Sequence, residues 1–176
     1  MTTPSRLPLA VRAVLTRTGL QQTAPEQPAS LACSSFPDVV RLELRLQRTS
    51  RGVVLRVPVR GPRGAGGLLV GALPYSRRQH LEETMAELDV EVDRAAPLDL
   101  GGGRDDRLER LVVDGAPVAY RTTLQVEERV VTSERAYVVA GSRLLALGTR
   151  TEGPVPFVPL EALAGVAPAA LGRRTA

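Results

Sequence analysis

LVVDGAPVAYRTTLQVEERVVTSERAYVVAGSRLLALGTR, residues 111–150, is the stretch whose reading decides the fold, because it reads as consecutive β-strands whose turns set their own register. Between two apolar runs lies Ala140-Gly141-Ser142-Arg143, and Gly at the first central position of a two-residue loop predicts a type II′ hairpin. That turn sets Val139 opposite Leu144 and Val138 opposite Leu145. A tight reversal at Glu127-Glu128 pairs Val118 with Tyr137, Arg121 with Glu134, Thr123 with Thr132 and Leu124 with Val131, all sensible cross-strand partners. Asp114-Gly115 after Leu111-Val112-Val113 predicts a further strand before these, with Pro117 at an edge or bulge because it lacks a ladder donor. In the last strand Leu144 and Ala146 point one way, Leu145 and Leu147 the other. A strand apolar on both sides requires cover on both sides.

Outward from this meander, the N-terminal half supplies more alternation. Val40, Leu42, Leu44 and Leu46 alternate with Arg41, Glu43, Arg45 and Gln47, which reads as a half-buried strand. Thr49-Ser50-Arg51-Gly52 turns the chain into a second strand, Val53 to Val59. Gly61-Pro62-Arg63-Gly64-Ala65-Gly66-Gly67 lacks the Lys-Ser/Thr and the following helix that a phosphate loop needs. Leu68 to Leu73 follow it as a strand, so it reads as a hairpin loop. Ser76 to Leu88 is the clearest helix, with Ser76 and Gln79 as a capping box and Leu81, Met85 and Leu88 as its stripe. Asp89-Val90-Glu91-Val92-Asp93 reads as a strand with an acidic face. Its carboxylates, roughly 7 Å apart at period two, stand too wide for a shared cation.

The ends read differently. Leu7, Val11, Val14 and Leu15 fall at helical spacing, whereas residues 21–37 carry Pro25, Pro28 and Pro37 and read as a linker. Pro159 to Ala164 starts a short helix with Leu160 and Leu163 inward, ended by Gly165. The organisation expected is an N-terminal arm and linker over 1–37, one α+β domain over 38–165 and a tail over 166–176. Removing residues 1–30 is then expected to leave a folded domain.

Composition narrows function. All 23 basic residues are arginine, and Lys, Asn and Ile are absent altogether, which points to a high-GC genome rather than to selection for guanidinium groups. Net charge is +4 over 176 residues, but residues 1–60 hold nine Arg against three acids. Arg41, Arg45, Arg56 and Arg60 of that segment are the candidate contacts for an anionic partner, and solvated surface arginines are the plain alternative. Five aromatics in the whole chain are too few for a single-strand stacking platform, so nucleic acid is disfavoured. Cys33 is the only cysteine and His80 the only histidine, which leaves no disulfide and no zinc set. Leu31-Ala32-Cys33 has the look of a lipoprotein cleavage site, but polar residues precede it where an apolar h-region belongs. No run approaches the roughly 20 apolar residues of a membrane span, so cytoplasmic residence is expected. No Gly-x-Ser-x-Gly elbow or phosphate loop is present, and no catalytic residue, cofactor or metal is expected.

Leu73 to Leu88, then Val113-Asp114-Gly115-Ala116-Pro117-Val118-Ala119-Tyr120-Arg121, then Arg135 to Leu147 give an order of strands, helix, meander and short helix. This order, over about residues 38–165, resembles the PsbP-like α/β/α sandwich of small bacterial DcrB and LpqN type domains. Many members of that family are lipoproteins, and this chain departs from them in lacking the signal. The resemblance implies an antiparallel sheet covered by helices. It also implies a non-enzymatic adaptor or chaperone-like role, secretion-associated in some members. The expected partner is an apolar or amphipathic segment of another protein, with a homodimer as the working form. Leu68, Leu69, Leu145 and Leu147 are the expected contact residues, since only one long helix is legible to cover a sheet apolar on both faces. A small enzyme with an unrecognised site and an arginine-rich nucleic-acid module are the alternatives.

Overall fold

The computed structural model describes residues 9–171, with side chains over 11–165. Leu7 and residues 172–176 lie outside the described residues. The chain runs α1 (Leu9–Thr18), β1 (Gln21–Gln22), β2 (Gln27–Pro28), α2 (Pro37–Arg48), β3 (Val53–Gly61), β4 (Gly64–Pro74) and α3 (Arg78–Arg94). It continues through β5 (Leu98–Gly101), β6 (Arg104–Arg110), β7 (Val118–Val126), β8 (Arg129–Ala140), β9 (Arg143–Glu152) and α4 (Leu160–Leu171). All nine strands form one antiparallel sheet in the order β1-β3-β4-β9-β8-β7-β6-β5, with β2 also on β3.

The meander is as its turns require. Val138 pairs with Leu145, Val139 with Leu144, and Ala140 with Arg143 across Gly141, whose φ is +63. Arg121 pairs with Glu134, Thr123 with Thr132 and Val118 with Tyr137. The ion pair from Arg121 to Glu134 closes at 2.7 Å. One detail differs at its start. Leu111 to Val113 is not a strand but the approach to a tight turn closed by the Val113–Ala116 bridge. The strand before β7 is the charged segment Arg104–Arg110, whose apolar content is too low to be legible as alternation.

Four other readings are corrected. Residues 37–48 form helix α2, not a strand: Val39, Leu42, Glu43 and Leu46, at i, i+3, i+4 and i+7, are its buried face. Pro37 sits at its first turn, where the missing N–H costs nothing. Leu42 and Leu46 belong to both the period-two and the helical pattern, so alternation alone misassigns the segment. The acidic run after Leu88 continues α3 rather than starting a strand, because Val92 extends the stripe of Leu81, Met85 and Leu88. Asp89 and Asp93, one helical turn apart, each hold Arg110 of β6 at 2.6 Å. The N-cap of α3 is Arg77, with no side-chain cap bond, so Ser76 and Gln79 form no capping box. At the C-terminal end α4 runs through Gly165 to Leu171, while Leu160 and Leu163 do pack inward.

Both faces of the sheet are covered. On one, Val11, Val14 and Leu15 of α1 and Leu160, Leu163 and Ala164 of α4 pack on Val57, Leu68, Leu145 and Leu147. On the other, Leu42 and Leu46 of α2 and Leu81, Met85 and Leu88 of α3 pack on Leu69, Leu73, Tyr120, Tyr137, Leu144 and Ala146. Residues 9–36, read from sequence as arm and linker, contribute to both cores: α1 and Leu20 to the first, Leu31 and Phe36 to the second.

Candidate functional site

Beneath α2, on the sheet face it shares with α3, the fold gathers five polar side chains. Arg135 and Tyr137 stand two residues apart on β8 and so point to the same face, and Tyr120 of β7 is paired directly opposite Arg135. Glu43 reaches them from the buried stripe of α2, and its carboxylate accepts a hydrogen bond from the Tyr120 hydroxyl. Cys33 comes from the segment between β2 and α2, with its Sγ 3.9 Å from the Tyr120 hydroxyl.

That segment is held at three points. Gln47 of α2 accepts from Leu31 N at 2.9 Å and donates to Ala29 O at 3.2 Å. Asp106 of β6 accepts from Ser35 N at 3.0 Å. Arg135 donates from Nη2 to Leu31 O at 3.4 Å. Gly148 of β9 makes room for this arginine: a Cβ there would stand 2.0 Å from Arg135 Nη1 and 2.7 Å from Glu134 O, so the guanidinium occupies the space a side chain would take.

Electrostatics follow from burial. Glu43 is fully buried, and its carboxyl is pushed up to about 7 by desolvation, with Arg135 and the Tyr120 hydroxyl pulling the other way. Burial likewise pushes both tyrosine hydroxyls well above their ordinary value. The Cys33 thiol is raised too, by burial against the opposing pull of Arg135. Glu43 Oε2, Arg135 Nε and the Tyr137 hydroxyl have no hydrogen-bond partner, so the network is only partly satisfied. A thiol held protonated is the reverse of an activated nucleophile. The open space beside the cluster is about 20 Å³. A single water needs on the order of 10–15 Å³, so the space behind the opening holds no whole organic substrate, while Cys33 at its edge is half-buried.

The residues singled out by sequence lie elsewhere or play other parts. Leu68, Leu69, Leu145 and Leu147 are all buried, at 0%, 4%, 3% and 1% exposure. The expectation that they form an open contact surface is corrected: α1 and α4 cover Leu68, Leu145 and Leu147, and Leu69 packs in the α2–α3 core. Arg41 and Arg45 are on the outer side of α2, where Arg41 meets Asp38 at 3.7 Å and Arg45 meets Glu87 of α3 at 3.2 Å. Arg56 and Arg60 are exposed on β3 and have no acidic partner among the described residues. His80 is exposed on α3 and takes no part in the cluster. Among the described residues no group of three or more His, Cys, Asp and Glu is placed to hold a metal ion. Sequence reading missed Glu43, Tyr120, Arg135 and Tyr137. A carboxylate inside an apolar helical stripe was the available signal, hidden while that stripe was read at period two.

A second feature lies on the opposite side of the sheet. The end of α1, the β3–β4 turn and the start of α4 enclose a cleft of about 410 Å³. Leu20, Phe157, Val158 and Ala162 give it an apolar lining, and Arg17 and Arg63 stand at its rim. No helix among the described residues is long and apolar enough to cross a membrane. The chain matches no family model, and no curated protein matches it.

Proposed function

We propose that this is a non-enzymatic binding protein, adaptor or chaperone-like, that holds an apolar or amphipathic segment of another protein in the cleft between α1 and α4. The observation that carries the reading is that cleft: about 410 Å³, apolar within and rimmed by Arg17 and Arg63. Its volume is in the range of roughly 300–1,000 Å³ typical of ligand sites. Two arginines at the rim favour a segment whose apolar side chains are flanked by acids. The sheet covered by helices on both faces supports the PsbP-like, DcrB/LpqN-type reading, and fold analogy by itself is a weak warrant for function. Glu43, Tyr120, Arg135 and Tyr137 are buried under α2, which supports a role without catalysis. Cytoplasmic residence and an association with secretion belong to the same proposal. So does a homodimer pairing through β5, the edge strand, which offers unpaired backbone groups.

Fluorescence anisotropy with labelled amphipathic peptides carrying acidic flanks tests the site. The parent is expected to bind, while Ala162→Glu and Arg63→Glu, both at exposed positions, weaken binding at least tenfold with the fold intact. No binding by the parent, or equal binding by Ala162→Glu, sinks the proposal. Light scattering over a concentration series tests the dimer separately.

A further inference from the structure

We infer that the crevice between Arg56, Arg135 and Arg150, on the α2–α3 side of the sheet, is a binding site for a single tetrahedral oxyanion of the phosphate type. Arg56 and Arg150 come from β3 and β9 and are exposed, whereas Arg135 of β8 is 3% exposed. All three line one small opening, together with Cys33 and Ser133. The sheet is cleared for Arg135 at Gly148, and Gly67 places the other two side by side. Arg135 lies over Gly148, and the stem of Arg56 passes over Gly67, where a Cβ would stand 3.7 Å from its Cγ and 4.0 Å from Arg150 Cβ.

No acid stands within ion-pair distance of any of these guanidinium groups among the described residues, the buried Glu43 acting on Arg135 only from farther off, whereas six other arginines are paired. Arg135 Nε is buried without a hydrogen-bond partner, a costly state for a charged donor unless something outside the protein meets it. Three planar, permanently charged donors in one crevice suit an oxyanion better than any other small ligand. The space of about 20 Å³ behind the two exposed arginines admits one oxygen of such an ion, with the rest at the mouth between Arg56 and Arg150. Both a free phosphate ion and the phosphoryl group of a monoester present this chemistry. The site is separate from the cleft between α1 and α4, with the whole sheet between them.

Cys33 lines the same crevice and is the only cysteine of the chain, which makes it a built-in reporter. Alkylation of Cys33 by iodoacetamide is to be followed by mass spectrometry in sodium phosphate and in sodium chloride at equal ionic strength. Titration calorimetry of phosphate into the protein reads the same event without the thiol. Phosphate is expected to slow alkylation at least threefold and to give saturable heat, with chloride doing neither. The double variant Arg56→Gln/Arg150→Gln is expected to stay folded and lose both effects. Phenyl phosphate protecting at lower concentration than inorganic phosphate identifies a monoester as the ligand, and protection by inorganic phosphate alone identifies the free ion. Equal effects of phosphate and chloride, or unchanged calorimetric binding in the double variant, overturn the inference.

Discussion

Glu43 is the residue at which sequence, packing and titration meet most sharply. Its carboxyl is ordinarily half-ionised near 4.5, and desolvation holds it at about 7 in the folded protein. Below 4.5 it is protonated in both the folded and unfolded chain, so it carries no penalty. As pH rises from 4.5 to about 7 the unfolded chain releases its proton first, and stability is lost across that window. The total loss is on the order of 3 kcal/mol. Glu43→Gln keeps an acceptor for the Tyr120 hydroxyl and removes the titration. The variant is expected to match the parent near pH 4 and to exceed it by up to about that amount at pH 8, read by denaturant unfolding. Parallel curves for the two proteins between pH 4.5 and 8 contradict the assignment. Glu127 makes a smaller point: it turns β7 into β8 with φ +55, a left-handed conformation that costs a non-glycine residue about 1 kcal/mol or more. Glu127→Gly is accordingly expected to raise the thermal midpoint, corresponding to about 0.5–1 kcal/mol. A lower midpoint refutes it.

Among the elements, α1 and α4 decide how the sheet face carrying Leu145 and Leu147 is closed. Val11, Val14 and Leu15 of α1 are at most 8% exposed, and α1 lies directly against α4. Burying a Val or Leu side chain contributes roughly 1.5–3 kcal/mol, so these three are comparable with the net stability of an ordinary domain. Deletion of residues 1–30 also removes Leu20 and both short strands on β3, and is therefore expected to abolish cooperative unfolding by circular dichroism. A truncated protein that melts cooperatively near the parent's midpoint counts against this packing. Leu145→Glu places a carboxylate under α1 and α4 with no partner, and is expected to cost more than about 3 kcal/mol. Its stability is thus a test of the internal core, not of a partner surface. A Leu145→Glu protein as stable as the parent would mean that this face is open.

For the whole molecule, the sheet separates two kinds of surface chemistry. On the α1–α4 side the accessible feature is apolar, and on the α2–α3 side it is cationic, with three arginines converging. Ligands on the two sides do not touch, so any coupling between them has to pass through the sheet. Saturating phosphate is expected to leave peptide affinity in the cleft within about twofold, measured by the same anisotropy titration. A larger change would show that the two faces share a conformational equilibrium.

The meander was determined by the sequence alone, since a glycine turn and a two-residue reversal set the register locally and a slip by one residue would turn every side chain over. Leu81, Met85 and Leu88 likewise specified α3, and the double-sided apolar pattern of β9 required cover on both faces. The extent of that cover was decided in three dimensions. Residues 37–48 satisfy both a period of two and a period of 3.6, and only docking on the sheet selects the helix that buries Glu43 with Val39, Leu42 and Leu46. The charged strand β6 exists because β7 offers it an edge and α3 offers Arg110 two carboxylates. The polar cluster joins Cys33, Glu43, Tyr120, Arg135 and Tyr137 across more than a hundred positions of chain. No local pattern encodes it, because proximity between distant residues is a property of strand order and helix docking, not of spacing along the chain.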